Sequence, residues 1–330
     1  MPFQVPSATR IIRRMADKPR RPVVDWLVYL AVRVAVCVVQ ALPTPAALAF
    51  ADLLARLAYR VDKRHRRVAD ESLTFAFPDL SAAERDRLIR ACYRHFCTMV
   101  IEIAVLPRKL RVENWRNYGT LVGADHILAA LLDDRPVLIV TAHFGNWEFA
   151  GYALGALGFR THAIARVLDN PHLERFLKKF RERTGQQLIA KKDDFDRLSD
   201  TLRGGGRVAT LGDQDAGTRG VFVDFFGRPA SAHKAVALMA MEFDAPMLVV
   251  GVPRVRSGLR WHYHIHCEDV IDPREYRDQG DAVKAITQRY HDALARMIRR
   301  HPEQYFWLHR RWKSQPVKRG KKTVAQVPSE

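Results

Sequence analysis

Cysteine is scarce in this chain. There are four in 330 residues, at positions 37, 92, 97 and 267, and none forms a Cys-x-x-Cys pair. That scarcity excludes a disulfide framework and the paired-thiol redox motifs, and it fits a reduced, cytosol-facing protein. Cys92 and Cys97 fall five apart in a helical stretch and are expected to be buried. Acidic side chains are also under-represented. Asp and Glu number 36 against 54 Lys and Arg, a net charge of +18. Such an excess calls for an anionic partner: a nucleic acid, an anionic membrane surface, or an acidic substrate or carrier. No nucleic-acid module accompanies it, and no internal repeat is present. A long uninterrupted apolar run is missing too. Residues 23–39 come nearest, but about 17 residues is the short limit for a spanning helix, and Asp25 and Arg33 interrupt them.

With 48% hydrophobic and 27% charged residues, most of the chain has the composition of an ordered globular protein, and its length suits one large α/β domain or two modest ones. Residues 1–22 read as a basic leader. Residues 23–60 read as an apolar helical hairpin broken at Leu42-Pro-Thr-Pro45 and flanked by basic clusters, including Arg56, Arg60, Lys63, Arg64, Arg66 and Arg67. Basic flanks on both sides suit a hairpin lying in, or dipping into, an anionic cytoplasmic leaflet. The apolar run starts too late, and lacks the small-residue site, for a cleaved signal peptide. Ser81 with Glu84 opens a helix over 81–105 by a capping box. From about residue 136 short apolar strands alternate with helices. Strands are expected at 137–140, 160–166, 188–190, 207–211 and 246–252, with helices at 147–157, 171–184, 194–202 and 235–243. This alternation predicts a mostly parallel central sheet flanked by helices. The alternating residues 259–267 suit an antiparallel edge strand. A helix over 279–300 and a basic, disordered tail over 316–330 complete the chain.

The chemistry centres on Thr141-Ala-His-Phe-Gly-Asn-Trp-Glu148. On one continuous helix, a five-residue offset would set His143 and Glu148 about 140° apart. Here a buried strand runs into His143, Gly145 permits a tight turn, and Asn146 can cap a helix starting at Trp147. His143 then stands at the carboxyl end of a strand, where open α/β sheets form ligand crevices. Glu148 falls in the first helical turn, where it is expected to hold the imidazole as a general base. No serine or cysteine adjoins His143, which favours direct transfer to an acceptor over a covalent intermediate. Asp213 and Gln214 follow the strand 207–211 at the same end of the sheet and are candidates for orienting substrate. Asp213-Gln-Asp215 lacks the distal glutamate of a calcium loop, and no metal or cofactor is called for. His262, His264 and His266 point to one face of a strand. At almost 7 Å between successive members, the row is too long for one tetrahedral ion.

Four ordered motifs carry a resemblance that spans about residues 20–315. They are Thr141–Glu148 above, Gly212-Asp-Gln-Asp215, Gly220-Val-Phe-Val-Asp-Phe-Phe-Gly-Arg-Pro-Ala230, and Pro302-Glu-Gln-Tyr-Phe-Trp-Leu-His-Arg-Arg-Trp312. Together they resemble the bacterial lipid A late acyltransferases, within the wider His-x4-Asp/Glu glycerolipid acyltransferases. The resemblance implies an α/β acyltransferase domain over 61–315 with an N-terminal membrane anchor. It implies acyl transfer from an acyl carrier protein to a hydroxyl of a lipid A precursor at the bacterial inner membrane, on its cytoplasmic face. A lysophospholipid, glycolipid or amino-lipid is the alternative acceptor. His143 would be the base and Glu148 its partner, with Arg166, Arg181 and Arg183 binding substrate phosphates. Phe222, Phe225 and Phe226 are candidates to line an acyl channel. Where the family commonly has threonines after Pro229-Ala230, this chain has Ser231-Ala-His-Lys234, which leaves acceptor identity open. The competing class is a non-enzymatic basic protein that binds membrane surfaces or nucleic acid.

Overall fold

The computed structural model describes residues 21–190, 194–256 and 261–316. The leader up to residue 20 and the tail from 317 lie outside the described residues. Four helices come first: α1 (Pro22–Ala41), α2 (Thr44–Val61), α3 (Lys63–Ala76) and α4 (Ala82–Lys109). The prolines at 43 and 45 end the first and start the second, since proline fits the first turn but not the interior of a helix. The Ser81–Glu84 capping box opens α4, with both reciprocal bonds present. Strand–helix alternation follows: β1 (Gly119–Val122), α5 (Ala124–Leu132), β2 (Val137–Thr141), α6 (Trp147–Ala156), β3 (His162–Ala165), α7 (Pro171–Glu182), β4 (Gln187–Ala190), α8 (Phe195–Arg203) and β5 (Arg207–Leu211). Then come β6 (Val221–Phe225), β7 (Arg228–Ala232), α9 (Ala235–Glu242), β8 (Met247–Gly251), β9 (Arg254–Arg256), β10 (His262–Ile271) and α10 (Ala282–Arg300).

The main sheet has the order β1-β10-β8-β2-β5-β3-β4, with β9 paired to β10. The five strands from β8 to β4 run parallel. β2 lies at the centre of the sheet, and alternate residues of it feed two cores. Leu138 and Val140 pack with Tyr290, Leu294 and Ile298 of α10. Val137 and Ile139 pack with Ile127 and Leu131 of α5 and with Phe149 and Tyr152 of α6. Burial on both faces is why this strand reads as a continuous apolar run.

One expectation is corrected here. Residues 259–267 read as an edge strand; 259 and 260 lie outside the described residues, and residues 262–267 fall on β10, which is interior. It runs antiparallel to β8 and parallel to β1, which covers its far side. β1 is only four residues long, with too little alternation to be legible. The hairpin β6–β7 stands apart from the main sheet. Its two-residue turn, Phe226-Gly227, has positive φ at both positions, the geometry that matches strand twist.

A buried ionic network lies beneath the turn that follows β2. Glu102 of α4 is 2% exposed and takes a forked ion pair from Arg254, while the Tyr263 hydroxyl donates to the same carboxylate. Arg254 also donates to His95 Nδ1, and His95 Nε2 in turn donates to the Gly145 carbonyl. Burial, reinforced by the Arg254 charge, holds the His95 pKa down at about 3, so the ring is neutral and relays one hydrogen bond to the next. Asn146 donates to Tyr263 and accepts from Phe149 N, capping α6.

Gly145 itself has φ +61°, and a β-carbon there would stand 1.9 Å from the Val252 carbonyl oxygen. Gly145→Ala is therefore expected to lose at least about 2 kcal/mol of stability, because no rotamer change moves a backbone carbonyl aside. Gly217→Ala, at φ +78° with nothing within 4 Å, should lose only about 1 kcal/mol from backbone strain. Thermal unfolding in detergent followed by circular dichroism separates the two. Equal losses would show that the Val252 contact is not limiting.

Candidate active site

Register places the central pair. β2 and β5 are parallel neighbours, with Thr141 opposite Leu211. Two residues past each strand end come His143 and Asp213. Gly212 N donates to the Thr141 carbonyl, so the two chains leave the sheet together. His143 Nδ1 then meets Asp213 Oδ1 at 2.8 Å, and His143 N donates to Oδ2 at 3.1 Å. Asp213 is fully buried. Burial pulls the imidazole pKa down, but the Asp213 charge and hydrogen bond outweigh it and leave the pKa above its ordinary value. For Asp213, burial favours the neutral acid, yet the contacts with His143 overcome this and hold the carboxyl well below the usual range. Nδ1 therefore carries the proton toward Asp213, and Nε2 is a free acceptor with no protein partner among the described residues. A neutral imidazole fixed in this tautomer can take a proton from a substrate group.

The partner expected from sequence was Glu148, and the geometry corrects that assignment. Glu148 follows Trp147 on α6 and faces α7. Its carboxylate takes a two-pronged ion pair from Arg181, with Nε at 3.0 Å and a terminal nitrogen at 2.5 Å. Proximity in sequence pointed to Glu148; strand register delivers Asp213. Both members of the Glu148–Arg181 pair are mostly shielded from solvent, at 11% and 18% side-chain exposure. α7 starts at Pro171 in its first turn and is capped by the Asn170 side chain, which accepts from His172 N and Leu173 N.

The other sequence candidates scatter. Arg166 is exposed and pairs with equally exposed Asp169. Arg183 is exposed at the C-cap of α7. Gln214 points to solvent beside buried Asp213. Asp215 accepts from Gly217 N and from Ser314, tying the C-terminal segment down. Phe225 and Phe226 are sealed in the core against Trp307 and Tyr305, while Phe222 is half-buried. Their packing is that of core aromatics, not of an open channel.

The last motif completes the site. Gly145 N donates to the Gln304 carbonyl, and Phe306 N donates to the His143 carbonyl, so residues 304–306 zip onto the turn. This brings in side chains that sequence reading passed over. Trp147, Phe306 and His309 surround the His143 ring, with centroids 5.2, 6.2 and 6.4 Å away. Phe96 of α4 packs on both Phe306 and Trp147. Phe96, Trp147 and Phe306 remain partly exposed and form an apolar shelf beside the His143 ring. His309 stacks on Phe306 and donates from Nδ1 to its carbonyl, and its buried Nε2 has no partner among the described residues. Burial keeps this ring neutral. Helical spacing gave the one available signal for Phe96; for His309 the motif itself was the signal.

The chain as a whole is similar to known acyltransferases. The family model described as bacterial lipid A biosynthesis acyltransferase matches residues 15–314. The lipid A biosynthesis lauroyltransferase of Escherichia coli is 27% identical over 88% of this chain and 92% of its own. The palmitoleoyltransferase of the same organism is 26% identical with the same coverage. The phosphatidylinositol mannoside acyltransferase of Mycobacterium tuberculosis is 29% identical over 70% of this chain and 72% of its own. Among solved structures, the 1-acyl-sn-glycerophosphate acyltransferase of Thermotoga maritima aligns with a TM-score of 0.37 at 10% identity, covering 78% of this chain and 97% of that one. The match over 15–314 decides the assignment: the chain belongs to the bacterial lipid A biosynthesis acyltransferase family and is an acyltransferase.

Proposed function

We propose that this enzyme moves a fatty acyl chain from an acyl-carrier-protein thioester to a hydroxyl of a membrane-bound lipid A precursor, with His143 as general base and Asp213 as the carboxylate that orients it. The observation that carries the reading is the 2.8 Å contact from His143 Nδ1 to Asp213, which leaves Nε2 free. Nε2 takes the proton of the acceptor hydroxyl as its oxygen attacks the thioester carbonyl. The tetrahedral intermediate collapses, the C–S bond breaks, and the leaving thiolate recovers the proton from the His143 imidazolium. Asp213 stabilises that imidazolium. The acyl chain rests on the shelf of Phe96, Trp147 and Phe306. Glu148 holds the Arg181 guanidinium by two of its nitrogens, so the third faces an anionic group of the acceptor.

The basic surface suits an acidic carrier protein as donor. α1 is long and apolar enough to cross a membrane, with a mean hydropathy of 2.0 and 6% burial. It anchors the enzyme in the inner membrane, with the catalytic face toward the cytoplasm. A lipid A precursor is favoured as acceptor by the Escherichia coli relatives, which align over more of this chain than the mannoside acyltransferase.

Incubation of the purified enzyme with acyl-carrier-protein thioesters and a membrane lipid extract should yield a lipid heavier by one acyl group. His143→Ala is expected to reduce transfer by about 10³-fold or more. Full transfer by folded His143→Ala protein would overturn the mechanism. Product appearing only on a phosphatidylinositol mannoside or a lysophospholipid would reassign the acceptor.

Asp213→Asn should reduce kcat/KM by about 10²–10⁴-fold and shift its pH profile. His143 acts as a base only when neutral, so activity rises as pH climbs through its pKa. Asp213 raises that pKa, so its loss must move the acidic limb to lower pH. An unmoved limb would mean that another group titrates there.

Arg181→Met leaves the largely shielded Glu148 carboxylate unpaired. It is expected to raise KM for the lipid acceptor about 10–100-fold, with KM for the acyl donor unchanged. A rise confined to the donor KM would place the pair on the wrong substrate.

A further inference from the structure

The histidine row of β10 has no role in the reaction above, and its setting gives it another. Tyr263 and Ile265 turn into the core at 0% and 1% exposure, so His262, His264 and His266 share the opposite, half-buried face. That face forms a wall of an open cleft of about 330 Å³, closed on its other side by Met297 and Arg300 of α10 and by His301. The volume lies within the range of small-ligand sites. The cleft opens at the carboxyl end of β8, where Gly251 pairs with His266. Phe144 lines it as well, so it adjoins the His143 turn without sharing the His143 side chain.

Its chemistry is one-sided. The single carboxylate in the lining, Glu268, is 7% exposed and already saturated: it accepts from Arg296, from Arg300 and from His266. Its charge is more than balanced by the two arginines. The rings of His264 and His301 take part in no side-chain hydrogen bond among the described residues. Each nevertheless has donor capacity directed into a half-enclosed space. Among the described residues no other carboxylate lines the cleft to accept from them, and a cation would face Arg300. We propose that this cleft binds a phosphate-class anion, a phosphomonoester or phosphodiester, through His264, His301 and the outer edge of Arg300.

The electrostatics agree in direction. Burial lowers the His264 pKa, and the neighbouring His262, His266 and His301 lower it further. Burial lowers that of His301, Glu303 opposes, and Arg300 adds to the depression. The other charged groups near the two rings are Arg296 with Glu268, and Arg256 of β9 as the register partner of His262. Mutual repulsion of this kind is relieved by a bound anion, which must therefore raise both pKa values.

The test uses the full chain in an uncharged maltoside micelle, with the ring Cε1 of its 13 histidines labelled with ¹³C. Resonances are assigned by His264→Asn, His301→Asn and His143→Ala. Inorganic phosphate titrated at constant ionic strength should shift His264 and His301 saturably and raise their pKa values. In the His264→Asn/His301→Asn double variant, the dissociation constant should rise at least about tenfold, with the His143 resonance unmoved as the control for folding. A parallel arm replaces the micelle with nanodiscs of phosphatidylglycerol or of phosphatidylcholine, without free phosphate. Shifts of the same two rings in phosphatidylglycerol discs identify a lipid headgroup as the source; shifts with free phosphate alone identify a soluble ligand. Phosphate shifts that spare both rings, undiminished affinity in the double variant, or no response in either arm would overturn the proposal.

Discussion

Gly145 brings the start of α6 against the end of β8 with no room for a β-carbon, and the reactive end of the sheet is organised around that contact. The turn is pinned from four sides. Val252 accepts from Asn146 N, Gln304 accepts from Gly145 N, His95 donates to the Gly145 carbonyl, and Phe306 N reaches the His143 carbonyl. Behind these bonds lies the Glu102–Arg254–Tyr263 network, in which a carboxylate and a guanidinium are buried together. A buried ion pair contributes little net stability, since desolvation of both charges offsets their attraction. Its value here is geometric. Arg254 binds Glu102, His95 and Tyr263 at once, so α4, β9 and β10 share one arrangement and the backbone of the His143 turn is held in it.

From that rigid turn the chemistry follows by register. Parallel neighbours sit about 4.8 Å apart, and β2 and β5 end level with one another. Residues two positions beyond each end therefore emerge side by side. His143 and Asp213 meet without either needing a special loop, and the main-chain bond from His143 N to Asp213 fixes the carboxylate before the imidazole is added. Glu148 is left to a different task. On α6 it projects toward α7, where Arg181 reaches it in a forked geometry suited to carboxylates. The His-x4-Glu motif thus supplies two charged pairs, not one dyad.

β2 and β5 were both legible as strands, and His143 and Asp213 were both legible as polar groups at strand ends. Their pairing was not, because β3 and β4 intervene in sequence but not between them in the sheet, and no local periodicity encodes strand order. Glu148, five residues from His143, was the nearest visible carboxylate and was given the role that register assigns to Asp213. The interior position of β10 failed for a related reason. Its alternation looked like one solvated face, whereas the half-buried face is the cleft wall and β1 covers the edge. Elements set by local signals came through: the capping box of α4, the proline at the first turn of α7, and the Leu42–Pro45 break.

The two charges that seemed to spoil the first apolar segment have a different meaning once the helix is placed. Asp25, Tyr29, Val32, Arg33, Val36, Val39 and Gln40 recur at helical spacing and are the more buried residues of α1. They face the protein. Arg33 stacks over Phe176 of α7, Tyr29 packs on His172, and Asn170 donates to the Asp25 carbonyl. The opposite face carries Val23, Trp26, Leu27, Leu30, Val34 and Val38, all exposed. The charges that would carry an insertion penalty in mid-helix are therefore absent from the exposed apolar face. α7 thus lies between α1 on one side and α6 on the other, where Arg181 holds Glu148 and Phe180 stacks on Tyr152. α7 buries no side chain fully; Phe180, packed against the core beside Tyr152, ties it to the sheet while Arg33 and Tyr29 tie it to α1. The same short helix and its cap therefore carry both the cationic partner of Glu148 and the surface that Asp25, Tyr29 and Arg33 of α1 meet, which is why the charges of the first apolar segment are found where they are.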